Sequence, residues 1–400
     1  MKTHNEEVIT MKKLSIRDCD LKGKRVLLRA DYNVPMDKEC NITELMRIEE
    51  SIPTLNHILE QGASLVILTH LGRPKGKRVP EMSVRPVAVA LEKLLGREVK
   101  FADDVLSDET VELCSNLKPG EVVLCENIRY YAEEEGNDEA FAEKVARLGE
   151  IYVNECFSVD HRSHATTVGV PKHLPTYAGL LLEKEITALS KVLEDPDRPL
   201  VAIIGGAKVS DKIKILAKLL PIVDRLIIGG GMANTFLAAK GYDMQKSLVE
   251  EDQIGLAKEI MEGEYAAKLV LPVDCRAASA FSNDADIKVV PGNAVPEGYM
   301  ALDIGEESIE LFKEALVGAK TILWNGPMGV FEMSNFAVGT KTIAQVVGES
   351  DAYSVIGGGD SSAAVKAVGM EDGISHISTG GGASLKFLEG KELPGIAACK

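Results

Sequence analysis

The 400-residue chain has no excess of positive charge: 45 Lys and Arg stand against 61 Asp and Glu, a formal net charge of −16. Non-specific nucleic-acid binding needs a broad basic face, so that class is excluded. A small anion can still be held by a local arginine cluster on an acidic protein. Long apolar runs are missing too. The longest uncharged stretch near the middle, Leu226 to Ala239, is too short and glycine-rich to span a bilayer. The opening MKTHNEEVIT has no apolar segment of a secretory signal. Residues 1–10, ahead of a second methionine at Met11, read as a flexible extension or tag remnant, with a native leader as the alternative. A cytoplasmic protein with neither nucleic-acid nor membrane partners is expected. A monomer is expected as well, although no residue pattern fixes the oligomeric state.

The seven cysteines (Cys19, Cys40, Cys114, Cys125, Cys156, Cys275, Cys399) contain no C-x-x-C, which removes zinc ribbons and thioredoxin-type sites and leaves reduced thiols. Cys156 reads as a small buried hydrophobe. No G-x-S-x-G elbow or zinc-spaced His/Glu motif appears, so nothing points to a covalent intermediate. There is no G-x-G-x-x-G. The nearest approach to a Walker A loop, Gly72-Arg73-Pro74-Lys75-Gly76-Lys77, is one residue short and runs on into arginine.

What is present is an alternation of apolar strand-like runs and amphipathic stretches. Candidate strands are Arg25–Arg29, Ser64–Thr69, Glu121–Cys125 and Ile151–Val153, then Leu200–Ile204, Arg225–Ile228, Lys268–Leu271, Thr321–Trp324 and Tyr353–Ile356. Continuous Val/Ile/Leu runs suit parallel strands covered on both faces, and the intervening segments, such as Asp138–Leu148 and Ile309–Leu316, suit crossover helices. The fold class is α/β. Two sheets, each with its own ligand edge, fit better than one, with a boundary near Gly179 to Glu185 carried by a hinge helix.

Ligands of open α/β sheets bind beyond the carboxyl ends of the strands, and the notable residues cluster there. Arg29, Asp31 and Asn33 follow one strand, His70 and Arg73 the next, and Arg129, His161 and Arg162 later ones; Arg47 lies in a nearby loop. Guanidinium groups suit phosphate and carboxylate. Each arginine alone also fits an exposed surface, and the histidines, His164 included, also fit neutral structural groups. The acidic Glu133-Glu134-Glu135 reads as a solvated surface. In the second half, Gly205-Gly206-Ala207-Lys208-Val209-Ser210-Asp211-Lys212 sets two lysines on one helix face beside a phosphate-favouring turn. Three glycine triplets, Gly229–Gly231, Gly357–Gly359 and Gly380–Gly382, offer backbone nests for phosphate, though tight turns need glycine too. Asp360 directly follows one nest, where a carboxylate suits Mg²⁺ bridging phosphate oxygens. Asn325 and Glu332 flank Pro327 and fit either a polar surface or contacts to ribose and phosphates.

These residues recur in ordered motifs: Arg29-Ala-Asp-Tyr-Asn33-Val-Pro, His70-Leu-Gly-Arg73-Pro, Glu126-Asn-Ile-Arg129, His161-Arg162-Ser-His164-Ala, Gly205 to Lys212, Leu271-Pro-Val-Asp274, Trp324 to Glu332, Gly357-Gly-Gly-Asp360 and Ser378 to Ser384. From Lys13 to its end the sequence resembles the phosphoglycerate kinase family. The resemblance implies two doubly wound, Rossmann-like domains facing a central cleft: residues 11–179 for the acid substrate, 180–383 for the nucleotide, and 384–400 returning to the first. It implies Arg47, Lys208, Gly358 and Gly381 as catalytic. It places 3-phosphoglycerate or 1,3-bisphosphoglycerate on Arg29, Asp31, Asn33, Arg47, His70, Arg73, Arg129, His161 and Arg162. ATP or ADP falls to Gly206, Ala207, Lys208, Lys212, Gly230, Gly231, Asn325, Pro327, Glu332, Gly357, Gly358, Gly359, Asp360 and Ser361, with Mg²⁺ on Asp360. One segment departs from the family pattern Asp-Ala-Phe-Gly-Thr-Ala, reading Glu155-Cys-Phe-Ser-Val-Asp160. There Asp160 is expected to pair with His161 or Arg162 and weaken anion binding, and Ser158 to stiffen the turn. The rival readings are a nucleotide-binding relative without catalysis and a dehydrogenase of similar layout.

Overall fold

Aliphatic runs with few charges fold here as parallel strands buried on both faces. The structure, a computed structural model, describes residues 15–399; the extension expected over residues 1–10 lies outside them. The first sheet comprises β1 (Arg25–Ala30), β2 (Ser64–Leu68), β3 (Val99–Ala102), β4 (Val122–Cys125), β5 (Ile151–Glu155) and β6 (Thr176–Ala178). Its order is β3-β4-β2-β1-β5-β6, parallel throughout. Side chains alternate across a strand, so Val26, Leu28, Leu65 and Ile67 enter the core on one face, and Leu27, Val66 and Leu68 the core on the other.

The later strands are β7 (Leu200–Ile204), β8 (Arg225–Ile228), β9 (Leu269–Val270), β10 (Asp274–Ala278), β11 (Ile287–Pro291), β12 (Met300–Ile304), β13 (Thr321–Asn325), β14 (Tyr353–Gly357) and β15 (His376–Ile377). A second parallel sheet runs β15-β14-β13-β7-β8-β9. The order β11-β10-β12 forms a small antiparallel sheet that the sequence reading lacks. Its strands do not have the continuous apolar runs of the parallel ones: β11 is largely exposed and the β10–β12 register shifts between Arg276 and Ala277.

The chain divides into two compact units. One ends at Lys184 and regains the chain from Glu392; the other spans Glu185–Lys391. The division falls inside the helix Leu180–Glu194. The return begins later than residue 384, because the helix Gly382–Leu388 lies against the helix Ile213–Leu219 of the second unit. The fully buried Glu155 closes the start of the Leu180–Glu194 helix, accepting from the Leu181 and Leu182 N–H groups at 3.1 and 3.3 Å, where a carboxylate meets the helix dipole favourably.

Asp160 does not pair with His161 or Arg162. Its side chain turns inward, is fully buried, and accepts from Asn154 Nδ2 at 2.9 Å, while its carbonyl accepts from the Gly395 N–H at 2.9 Å. The C-terminal turn fits this carboxylate closely: a Cβ at Gly395 would lie 2.1 Å from Asp160 Oδ1. Burial, opposed by the Asn154 hydrogen bond and Arg29, pushes the Asp160 carboxyl up to about 7. The folded protein therefore keeps a proton that the unfolded chain releases above its ordinary value of 3.8, and this group's contribution to stability falls as pH rises from there to about 7. Asp160→Asn removes that dependence. Its Tm relative to the parent should climb by a few degrees across the window and level off above it. A difference in Tm that stays constant with pH would show that Asp160 is ionised throughout.

Candidate active site

Each unit gathers its polar residues beyond the carboxyl edge of its sheet. In the first, Arg29 ends β1, His70 follows β2, Arg129 lies in the turn Ile128–Tyr130 after β4, and His161, Arg162 and His164 follow β5. Asp31 is the hub. Its Oδ2 accepts from Arg47 Nη1 and from Ser158 Oγ, and its Oδ1 from the Asn33 N–H at 2.9 Å. Asn33 Oδ1 then accepts the Gly72 N–H at 2.8 Å, and Arg129 Nη1 donates to the Gly72 carbonyl at 2.9 Å, which ties three strand-end loops together. Ser158 thus reaches the hub itself. Arg73 is exposed on the same loop, and His161 and Arg162 are half-buried.

Two sequence expectations change. Glu134 is not solvated: it is fully buried, accepts from the Thr166 N–H and hydroxyl at 2.9 and 2.6 Å, and lies 3.9 Å from Arg29 Nη2. Arg29, expected at the substrate, is sealed as well, with no exposed side-chain surface. No sequence signal marks Thr166 or Glu134, since their partnership spans 32 positions.

Positive charge exceeds negative here. Burial, reinforced by Arg29 and Arg162 and opposed by Glu135 and Glu134, lowers Arg129 to about 10. Burial, with Arg129, Arg29, Arg162 and His161, takes His164 to about 3. Burial, opposed by Asp31 and reinforced by Arg29, Arg129 and Arg47, holds His70 well below its ordinary value. Burial works against ionising Asp31, yet its carboxyl is held below its ordinary value. A neutral His70 brings no charge, so Arg47, with Ser158 and the Asn33 N–H, supplies the opposing stabilisation.

In the second unit three loops pack backbone to backbone. Gly205 N–H donates to the Asn325 carbonyl at 2.9 Å, Gly230 N–H to Met328 at 3.0 Å, and Met232 N–H to Gly206 at 2.9 Å. Gly230 has φ +69°, and a Cβ there would lie 2.6 Å from the Gly206 carbonyl oxygen, so only glycine fits. Gly206, Ala207, Gly230, Gly231, Pro327, Glu332 and Asp360 line a cavity of about 540 Å³, together with Leu248, Phe281, Met328 and Asp303, which sequence reasoning missed. Outside its lining, Lys208 is exposed, Lys212 donates to Asn325 Oδ1, Gly357 ends β14, and Gly358 caps the helix Gly359–Ala367. Gly381 precedes the helix Gly382–Leu388. Ser361 is fully buried and accepts the Gly326 N–H at 2.7 Å; it braces the loop and does not face the cavity. Among the described residues no three His, Cys, Asp or Glu side chains form a metal cluster. The exposed Asp360 suits Mg²⁺ bound through one carboxylate and substrate phosphates.

The sequence profile of the family described as Phosphoglycerate kinase matches residues 16–391. The chain belongs to the phosphoglycerate kinase family. A phosphoglycerate kinase from Moorella thermoacetica is 53% identical over 390 residues, covering 97% of this chain and 99% of that one. One from Thermosipho africanus is 49% identical over 394 residues, covering 97% and 98%. The structure of phosphoglycerate kinase from Coxiella burnetii superposes with a TM-score of 0.88 at 42% identity, covering 97% of this chain and 98% of that one. The activity follows from membership in the phosphoglycerate kinase family: reversible transfer of the 1-phosphoryl group of 1,3-bisphosphoglycerate to ADP, giving 3-phosphoglycerate and ATP in glycolysis. The dehydrogenase reading is overturned. No helix among the described residues is long and apolar enough to cross a membrane.

Proposed function

We propose that the first unit binds the acid substrate through Asp31, Asn33, Arg47, His70, Arg73, Arg129, His161 and Arg162, and that the second binds the nucleotide around its cavity. The observation carrying this is a positive cluster that Asp31, Glu134 and Glu135 compensate only in part. Arg129 Nε, Arg162 Nε and His164 Nδ1 are buried without a hydrogen-bond partner, and buried polar groups of this kind are costly unless a ligand completes them.

The acceptor for phosphoryl transfer from ATP is a carboxylate, ionised at neutral pH, so no general base is needed. Catalysis then rests on in-line positioning and on neutralising charge at the moving group. Arg47 and Lys208 stabilise its equatorial oxygens, N–H groups near Gly358 and Gly381 face it, and Lys212 holds nucleotide phosphates. Asp360 holds Mg²⁺, which when bound offsets the charge of those phosphates. Donor and acceptor are bound by different units, so transfer requires the units to come together and exclude water. The enzyme works as a cytoplasmic monomer.

A coupled assay with ATP and 3-phosphoglycerate tests this. Turnover should be abolished by chelation and restored by Mg²⁺. Folded, ADP-binding protein without turnover would favour the reading as a non-catalytic binding protein.

A further inference from the structure

Arg29 ends β1 at the edge where the acid substrate is placed, yet its side chain is sealed and every nitrogen is occupied. Nε donates to Thr166 Oγ1 at 2.8 Å, Nη1 to the Ala30 carbonyl, and Nη2 to His70 Nδ1 at 3.2 Å. The Thr166 hydroxyl in turn donates to Glu134 Oε1 at 2.6 Å and its N–H donates to Oε2 at 2.9 Å. The carboxylate, the hydroxyl and the guanidinium therefore form one buried chain that ends on an imidazole.

The end of that chain has only one consistent protonation. A guanidinium donates and cannot accept, so His70 Nδ1 must present a lone pair. Asp31 Oδ1 lies 3.8 Å from the same Nδ1 and favours a second proton, but burial to 2% exposure, with Arg29, Arg129 and Arg47 around the ring, outweighs it. A neutral imidazole with a bare Nδ1 carries its proton on Nε2. Nε2 makes no hydrogen bond among the described residues, and it is the nitrogen left to meet a ligand.

We propose that Arg29, held by Thr166 and Glu134, is a positioning residue that fixes His70 as the Nε2–H tautomer and so gives the acid substrate a neutral hydrogen-bond donor. The opposite tautomer would turn a bare lone pair toward an anion. This rests on the reading that His70 contacts that substrate. It also gives Glu134 a function: a buried carboxylate beside an anion site is repulsive in itself, but here its charge is spent on Thr166 and Arg29, one shell back.

Long-range ¹⁵N–¹H correlation on histidine-labelled, ligand-free protein reads the tautomer directly, with the His70 signals assigned by their loss in His70→Gln. The wild type should show Nδ1 unprotonated and Nε2 protonated at neutral pH. Thr166→Val, nearly isosteric, cuts the chain between Arg29 and Glu134. It should give a mixture of tautomers and raise KM for 3-phosphoglycerate about tenfold, the scale of one charge-assisted hydrogen bond, with KM for ATP unchanged. Thr166→Ser should restore both readings. An Nδ1–H or imidazolium form in the wild type overturns the proposal, as does a Thr166→Val protein with the wild-type spectrum and KM. If the ligand-free spectrum is as expected but 3-phosphoglycerate leaves the His70 signals unmoved, the tautomer stands and the placement of substrate fails, taking the donor role with it.

Discussion

Arg47→Ala should lower kcat about a thousandfold or more while leaving KM for ATP nearly unchanged, the signature of an arginine that acts on the transferring phosphoryl group. Its setting differs from that of its neighbours. Arg29 is sealed and Arg129 nearly so, whereas Arg47 is 30% exposed and stands on the short helix Met46–Glu49. Its guanidinium rests on Asp31, a carboxylate that also accepts from Ser158 and the Asn33 N–H. An Arg47 that turned to the phosphoryl group would leave Asp31 with those two donors, so the move would not strand a buried charge. Removal of Arg47 has a second consequence. Asp31 is held below its ordinary value, and a depressed carboxyl contributes stability above its unfolded value and loses it as pH falls through the folded one. Without Arg47 the Asp31 carboxyl rises, and the acid limb of kcat/KM for 3-phosphoglycerate should move to higher pH. Arg47→Lys keeps the charge without the planar fork and should fall between the two. Near wild-type turnover in Arg47→Ala would remove this residue from catalysis.

The same neighbourhood shows what sequence reveals and where it stops. β1, β2, β7 and β13 are legible because burial on both faces requires an unbroken apolar run, and Leu200–Ile204 is an instance. β6 and β15, at sheet edges and only three and two residues long, carry no such run. The arginines were legible as strand-end residues, but their accessibility was not: Arg29 and Arg47 differ in what faces them across the fold, Thr166 and Glu134 against Asp31. Asp160 misleads for a related reason. Its chain neighbours are His161 and Arg162, yet a turn at Phe157–Val159 sends its side chain to Asn154 and the C-terminal Gly395. Adjacency along a chain sets distance and leaves direction open. Glu134 shows the limit most plainly, since one of three successive glutamates is fully buried while Glu133 is exposed and Glu135 keeps 41% of its side-chain surface.

Lys212→Ala should cut kcat/KM for ATP by about two orders of magnitude, comparable to deleting one preorganised charge-stabilising group, with KM for 3-phosphoglycerate little changed. Lys212 is placed at a cost to the free protein. It occupies the N-cap of the helix Ile213–Leu219, where the helix dipole disfavours a cation, and burial, offset by Asp211 and Asp360, lowers its pKa. Its contact with Asn325 Oδ1 holds it there, while Asn325 Nδ2 is buried without a partner. A phosphate would relieve both, pairing with the ammonium and offering an acceptor to the amide. The variant should therefore separate stability from binding. Its ligand-free Tm should stay close to the parent's, because loss of the Asn325 contact is offset by removal of an ill-placed charge. The rise in Tm on adding ADP should shrink with the affinity. A large fall in the ligand-free Tm with an undiminished ADP response would make Lys212 a structural strut. The nucleotide phosphates would then depend on Lys208 and the glycine N–H groups alone.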